Sequence, residues 1–188
     1  MARRKTISDE AVLAAAAKVM FAIGPGFTLA DVAKASGIAP ATLAQRFGDK
    51  HGLVVAAIAR DNAEFEAFLG AAPAGRSAEA VIGIFVGMFG GADTDAGTAA
   101  DHFADQLLWL RQDMRDPDLN RLAKARFAVL RAAVAARMPP LPIPAEDAAR
   151  LVEAQWQGVL VQWGIEREGR LADAVAASLR AWFALIER

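Results

Sequence analysis

Apolar residues recur three and four positions apart along most of the chain, and no segment alternates apolar and polar as a strand would, so the pattern predicts an all-α protein. A first helix starts at Ser8, an N-cap followed by Asp9 and Glu10. Its apolar stripe is Val12, Ala15, Ala16, Val19, Met20 and Ile23, ended by Gly24, Pro25 and Gly26. Thr28 caps a short second helix, with Asp31 placed as in a capping box and Leu29, Val32 and Ala33 inward. Gly37 gives the unhindered backbone of a sharp turn, and small Ala33 lets the next helix come close. Pro40 opens that helix, and Leu43 and Phe47 face inward. Asp49 then caps a longer helix running to about Leu69.

Small residues from Gly70 to Gly75 break the pattern before a helix starting near Ser77. Within it Gly83 and Gly87 permit close helix contact, which ordinary packing explains outside a membrane. After a GGADTDAG loop a helix carries Phe103, Leu107, Leu108 and Trp109 to about Arg115. Asp116 and Pro117 stop it and start another, whose inner side is Leu119, Leu122, Phe127, Leu130 and Val134. PPLPIP at 139–144 is a stiff connector.

Two final helices, about Ala145 to Arg167 and Leu171 to Glu187, complete about nine. Leu151, Val152, Trp156, Val159, Leu160 and Trp163 cover a wide arc of the first, and Leu171, Val175, Leu179, Trp182 and Ile186 stripe the second. One facing helix would not hide all of this. The pair is expected to pack on its copy in a homodimer, with Leu160, Val175, Leu179, Trp182 and Ile186 in a four-helix interface; packing within one subunit stays open.

Charge separates the two ends. Residues 1–60 carry eight Lys and Arg against four Asp and Glu, whereas 61–188 carry thirteen against eighteen, so the net charge of -1 hides a basic head and an acidic body. The absence of cysteine excludes disulfides and thiol ligands. MARRKTISDE lacks the order of a secretory signal and reads as a flexible basic arm. The longest uncharged stretch, Ala80 to Ala92, is 13 residues with four glycines, too short for a bilayer span, so a cytoplasmic protein is expected.

Residues 28–53 therefore read as a helix-turn-helix, with Ala41, Thr42, Gln45 and Arg46 outward on its second helix. Thr42 and Gln45 are the expected base readers. Arg46 would serve guanine or phosphate, and Arg3, Arg4, Lys5 and Lys50 would attract phosphate, beside Thr28 and His51.

At about residues 6–60 the chain resembles the tetracycline-repressor (TetR) family of bacterial transcription regulators. The resemblance rests on the apolar first helix ending at Gly24, on TLADVAKASGIAPATL, and on RFGDKHGLV, where Phe47 and Lys50 match best. The family usually carries Tyr where Ala44 stands and often Ser where Ala39 stands; both are absent. It implies an arm and DNA-binding domain at 1–52, a connecting helix to about 69, and a ligand-binding and dimerisation body at 53–188. It also implies repression of a palindromic operator, relieved by a small apolar or amphipathic effector. Phe85, Met88, Phe89, Phe103, Leu107, Trp109, Phe127, Trp156 and Trp163 are the candidate lining.

Two other readings compete. An enzyme would have to use His51 or His102, the latter beside Asp101 and Asp105, yet no nucleophile motif accompanies them, and neither catalysis, metal nor cofactor is expected. A helical carrier that never touches DNA would have no use for the basic, capped head.

Overall fold

The computed structural model describes residues 7–89 and 96–186, with backbone alone at residues 96–100 and 102. Among these residues every regular element is helical. They are α1 (Asp9–Ile23), a 3-10 turn (Gly24–Gly26), α2 (Leu29–Ser36), α3 (Pro40–Phe47), α4 (Lys50–Ala71), α5 (Ala78–Gly87), α6 (Ala96–Arg115), α7 (Pro117–Arg137), α8 (Ala145–Glu166) and α9 (Leu171–Ile186).

The helices start where their caps stand. Ser8 Oγ accepts from the Ala11 N–H at 3.2 Å, Ser77 Oγ from Ala80 at 3.1 Å, and Asp49 Oδ1 from Gly52 at 2.8 Å. Asp116 Oδ1 accepts from both Asp118 and Leu119 at 3.0 Å, so one carboxylate satisfies two of the orphan donors at the start of α7.

The chain divides into two compact units, one from Met1–Glu64 and Asp105–Ala123, the other from Phe65–Ala104 and Lys124–Arg188. The division falls inside α4, α6 and α7. Residues 53–64 and 105–123, which the sequence reading assigns to the body, group with the head. A long helix keeps one apolar period throughout, so nothing local marks where its packing partners change.

In the first unit Val12, Ala16, Phe27, Val32, Leu43, Leu53 and Ala57 form one buried core with Leu119 and Leu122. Ile23, expected on the inner stripe, is exposed at the last residue of α1, where Gly24 turns the chain with φ 68°. Arg60 of α4 binds Glu10 of α1 together with Asp61 and Glu64 of its own helix, tying the first and fourth helices at a half-exposed point.

The second unit packs α5, α8 and α9 with the remaining parts of α4 and α7 around Val81, Ile84, Phe85, Leu130, Val134, Val152, Trp156, Val175 and Leu179. Polar links sit at its rim. Arg131 pairs with Glu153 at 3.1 Å, Gln155 donates to Ser178 at 2.8 Å, and Arg180 pairs with Glu79 at 2.8 Å. Arg137 donates to the carbonyls of Leu69, Ala72, Pro73 and Ala133, capping the C-terminal end of α4. Phe103 lies against α8 so closely that a Cβ at Gly164 would meet its ring at 2.6 Å, which makes glycine the residue that fits.

One helix face in this unit has no cover within the described residues. Leu151, Ala154, Gly158, Val161 and Ile165, spaced three and four apart along α8, are exposed, with Ile165 78 % and Val161 45 % accessible. A Cβ at Gly158 would meet nothing within 4 Å. On α9, Ala177, Ala181, Ala184 and Leu185 are exposed.

Candidate nucleic-acid interface

The head is built around a rigid bend. Thr28 Oγ1 accepts from the Asp31 N–H at 3.3 Å while an Asp31 carboxylate oxygen accepts from the Thr28 N–H at 2.7 Å, the two halves of a capping box. The Thr28 hydroxyl also donates to Asp31, and this bond, foremost, holds the Asp31 carboxyl below its ordinary pKa. Gly37 ends α2 in the left-handed region, φ 74° and ψ 20°, with its N–H on the Ala33 carbonyl at 2.9 Å. Pro40 starts α3 three residues later, after Ala39, whose methyl offers the helix no cap bond.

Leu43 is fully buried and Phe47 half-buried, so α3 is pinned by one face. The opposite face presents Pro40, Ala41, Ala44 and Gln45 to solvent, with Thr42 half-buried at its edge. Ala44 was not among the expected contact residues. A small apolar residue gives no polar signal in the sequence, yet its methyl stands with Ala41 and Gln45, where thymine methyls can be met. Lys34 of α2 is exposed as well, a positive charge of the kind that can meet a phosphate.

The junction from α3 to α4 is set by a glycine that the motif reading passed over. A Cβ at Gly52 would fall inside the van der Waals envelope of the Phe47 carbonyl oxygen, so no side chain fits without moving the end of α3. A closely approaching backbone leaves no mark on hydrophobic periodicity.

Several expected phosphate ligands are engaged within the head. Arg46 Nη1 donates to the Ile7 carbonyl at 2.7 Å and meets Asp9 at 3.2 Å, anchoring the start of α1 to α3. Lys50 Nζ donates to the Pro25 carbonyl at 2.7 Å and lies 4.5 Å from the centre of the Phe27 ring, which leaves two of its three protons for a phosphate. Thr28 is exposed but committed to its cap. His51 Nε2 lies 2.9 Å from Asp116 Oδ2. Arg3, Arg4 and Lys5 lie outside the described residues.

Asp116 is held below its ordinary pKa, first by the Leu119 N–H and then, against the opposing cost of burial, by His51. With Asp118 these two place three possible metal ligands within 4.8 Å of one another, although the cap of α7 already uses one Asp116 oxygen and His51 the other. Of the Asp101, His102 and Asp105 grouping weighed for an enzyme, two side chains are described. Asp101 pairs with Arg167 at 3.1 Å in the second unit, Asp105 sits beside Gly24 in the first, and the His102 side chain lies outside the described residues.

Residues 12–57 match the family model described as bacterial regulatory proteins, tetR family. The chain carries the DNA-binding domain of the tetR family. Over nearly its whole length it also has the fold of TetR-type regulators. A transcriptional regulator from Rhodococcus sp. Rha1 superposes with a TM-score of 0.73 at 18 % identity, over 93 % of this chain and 95 % of that one. GusR of Salmonella enterica gives 0.64 at 20 %, over 95 % of each chain. The regulator FadR of Bacillus subtilis, solved with stearoyl-CoA, gives 0.62 at 15 %, over 92 % of this chain and 96 % of that one. No curated protein matches the chain. No helix among the described residues is long and apolar enough to cross a membrane.

In this TetR-type fold the expected effector lining separates into two groups. Phe85, Trp156 and Trp163 are buried in the second unit, and Met88, Phe89, Phe103 and Phe127 are half-buried there. Trp109 belongs to the first unit, where it packs 6.4 Å from Phe27 and donates to the Met20 carbonyl at 3.4 Å, and Leu107 of the same unit is exposed. Of the expected dimer residues, Val175 and Leu179 are fully buried inside the second unit, while Leu160, Trp182 and Ile186 pack half-buried on its core. An apolar stripe reads the same whether it faces a neighbour in its own chain or in another.

Proposed function

We propose that this protein is a repressor that binds a palindromic operator as a homodimer and releases it when a small apolar effector enters the second unit. The observation that carries the reading is the exposed Ala41, Ala44 and Gln45 face of α3, held by Leu43 on a capped, glycine-turned hairpin. Gln45 pairs with adenine, Ala41, Ala44 and Thr42 meet thymine methyls, and Lys34 and Lys50 attract phosphate. Arg46 acts mainly by holding the start of α1 beside the recognition helix, and Arg3, Arg4 and Lys5 add sequence-independent attraction to phosphate.

One such helix reads only a few base pairs, and a dimer reads two half-sites about 34–36 Å apart. The uncovered stripe of α8 and the small residues of α9 support association through that face, with Leu160, Trp182 and Ile186 at its margin. Phe85, Met88, Phe89, Phe103, Phe127, Trp156 and Trp163 are the proposed effector lining. The effector would act by its differential affinity for two dimer geometries, of which one matches the operator.

Sequencing genomic fragments retained by the purified protein, followed by titration at several salt concentrations, tests this. A recurring palindrome is expected, with affinity falling as a power of salt concentration by roughly 0.9 per phosphate contacted. A protein that retains no fragment in dilute buffer is not a regulator of this kind.

A further inference from the structure

Trp156 lies 5.2 Å from the Phe85 ring, at a tilt of 40°, within the apolar core of the second unit. Its indole Nε1 is buried without a hydrogen-bond partner, and among the described residues no other buried side-chain nitrogen or oxygen is in that state. The contrast with its neighbours is direct. Trp163 donates to the Gly169 carbonyl at 3.3 Å, and Trp109 to that of Met20 at 3.4 Å. A phenylalanine would occupy an apolar site without an unmet donor, and native cores seldom leave one.

The surroundings narrow what such a donor can meet. No polar or charged residue is buried among the described residues, and Glu153, three residues before Trp156, is occupied by Arg131 at 3.1 Å. A charged group brought into this core would find no counter-ion, at a cost that one N–H could not return. A wholly hydrocarbon molecule would leave the donor unmet.

We propose that Trp156 Nε1–H is the polar anchor of the effector site, and that the site takes a neutral, largely apolar molecule bearing a ketone or ester oxygen. This rests on the effector-regulated reading above and specifies the chemistry of that site. The carbonyl accepts from Trp156 while the rest of the molecule lies among the aromatic and aliphatic side chains around Phe85.

Acetophenone and ethylbenzene, close in size and differing in a carbonyl oxygen, test it on the full chain. The indole N–H signals of 15N-labelled protein are followed during titration, with Trp156→Phe used to assign the Trp156 signal. Acetophenone is expected to move that signal downfield and to bind about five-fold more tightly than ethylbenzene. In the Trp156→Phe protein the preference should vanish while ethylbenzene binding persists. A Trp156 signal unmoved at saturation, equal affinity for the two probes, binding of neither probe, or a preference that survives Trp156→Phe each overturns the proposal. If that variant does not fold, Trp109→Phe, Trp163→Phe and Trp182→Phe assign the other three indole signals, and the behaviour of the fourth in the native protein decides. Retention of DNA with indifference to both probes would remove the anchor and leave the regulator. Ketone binding without DNA retention would do the reverse.

Discussion

Gln45 and Lys50 sit five residues apart in different settings. Gln45 is exposed on α3 with its amide free to face a base edge, whereas Lys50 reaches over Phe27 to the Pro25 carbonyl. Gln45→Ala is expected to relax preference at one base position in each half-site, a change of about 1–3 kcal/mol in discrimination. Lys50→Ala should weaken every sequence alike and reduce the salt slope by about one. Titration against operator variants checks both, and equal losses on all sequences for the two mutants would reject the division of labour. Gly52→Ala is expected to reduce affinity for all sequences while leaving the exposed side chains of α3 unchanged, because the added methyl displaces the Phe47 carbonyl and with it the end of the helix. DNA titration alongside a thermal melt checks this, and a variant with wild-type affinity would mean that the junction yields. The polar contacts of this head were legible in the sequence as residue types, but their partners were not. Arg46 offers the same side chain to a phosphate or to the Ile7 carbonyl, and only the fold decides which is near.

At the scale of elements the legible features were those with a local cause. Ser8, Thr28, Ser77 and Asp116 each precede a helix, and Gly37 and the PPLPIP segment each end or separate one, because caps and turns act within a few residues. These caps also set an acid response. The Asp31 and Asp116 carboxyls are held below their ordinary pKa in the folded chain, so their contribution to stability is complete above the unfolded value of about 3.9 and disappears as pH falls through the lower folded value. The melting temperature is expected to be insensitive to these groups above about pH 5 and to fall below about pH 4. Asp116→Ala should melt lower at pH 7 and show a shallower acid decline, whereas Asp116→Asn keeps a capping oxygen and should lie between the two. A melt series from neutral to acid pH reads this, and parallel curves for wild type and Asp116→Ala would refute it. Sequence gave no comparable sign of where the units divide, since α4, α6 and α7 each belong in part to both.

For the whole molecule the weak point of sequence reading is orientation. Val175 and Leu179, expected at a subunit interface, lie inside the second unit, and the exposed apolar positions of α8 fall on Leu151, Ala154, Gly158, Val161 and Ile165. Val161→Asp is expected to shift the protein to a monomer and to weaken operator binding, because a charge in that stripe would be buried without a partner if two copies meet there. Sedimentation with operator titration checks this; an unchanged oligomer would move the interface elsewhere. The open space at Gly158 has its own consequence. Within a helix, alanine there would firm an isolated chain by about 0.5–1 kcal/mol, since glycine has more backbone freedom to lose. If two copies close over that point, the same methyl pushes them apart. Gly158→Ala would then toughen the solitary molecule and loosen the couple, making this one glycine a gauge of how much solitary firmness is given up for partnership.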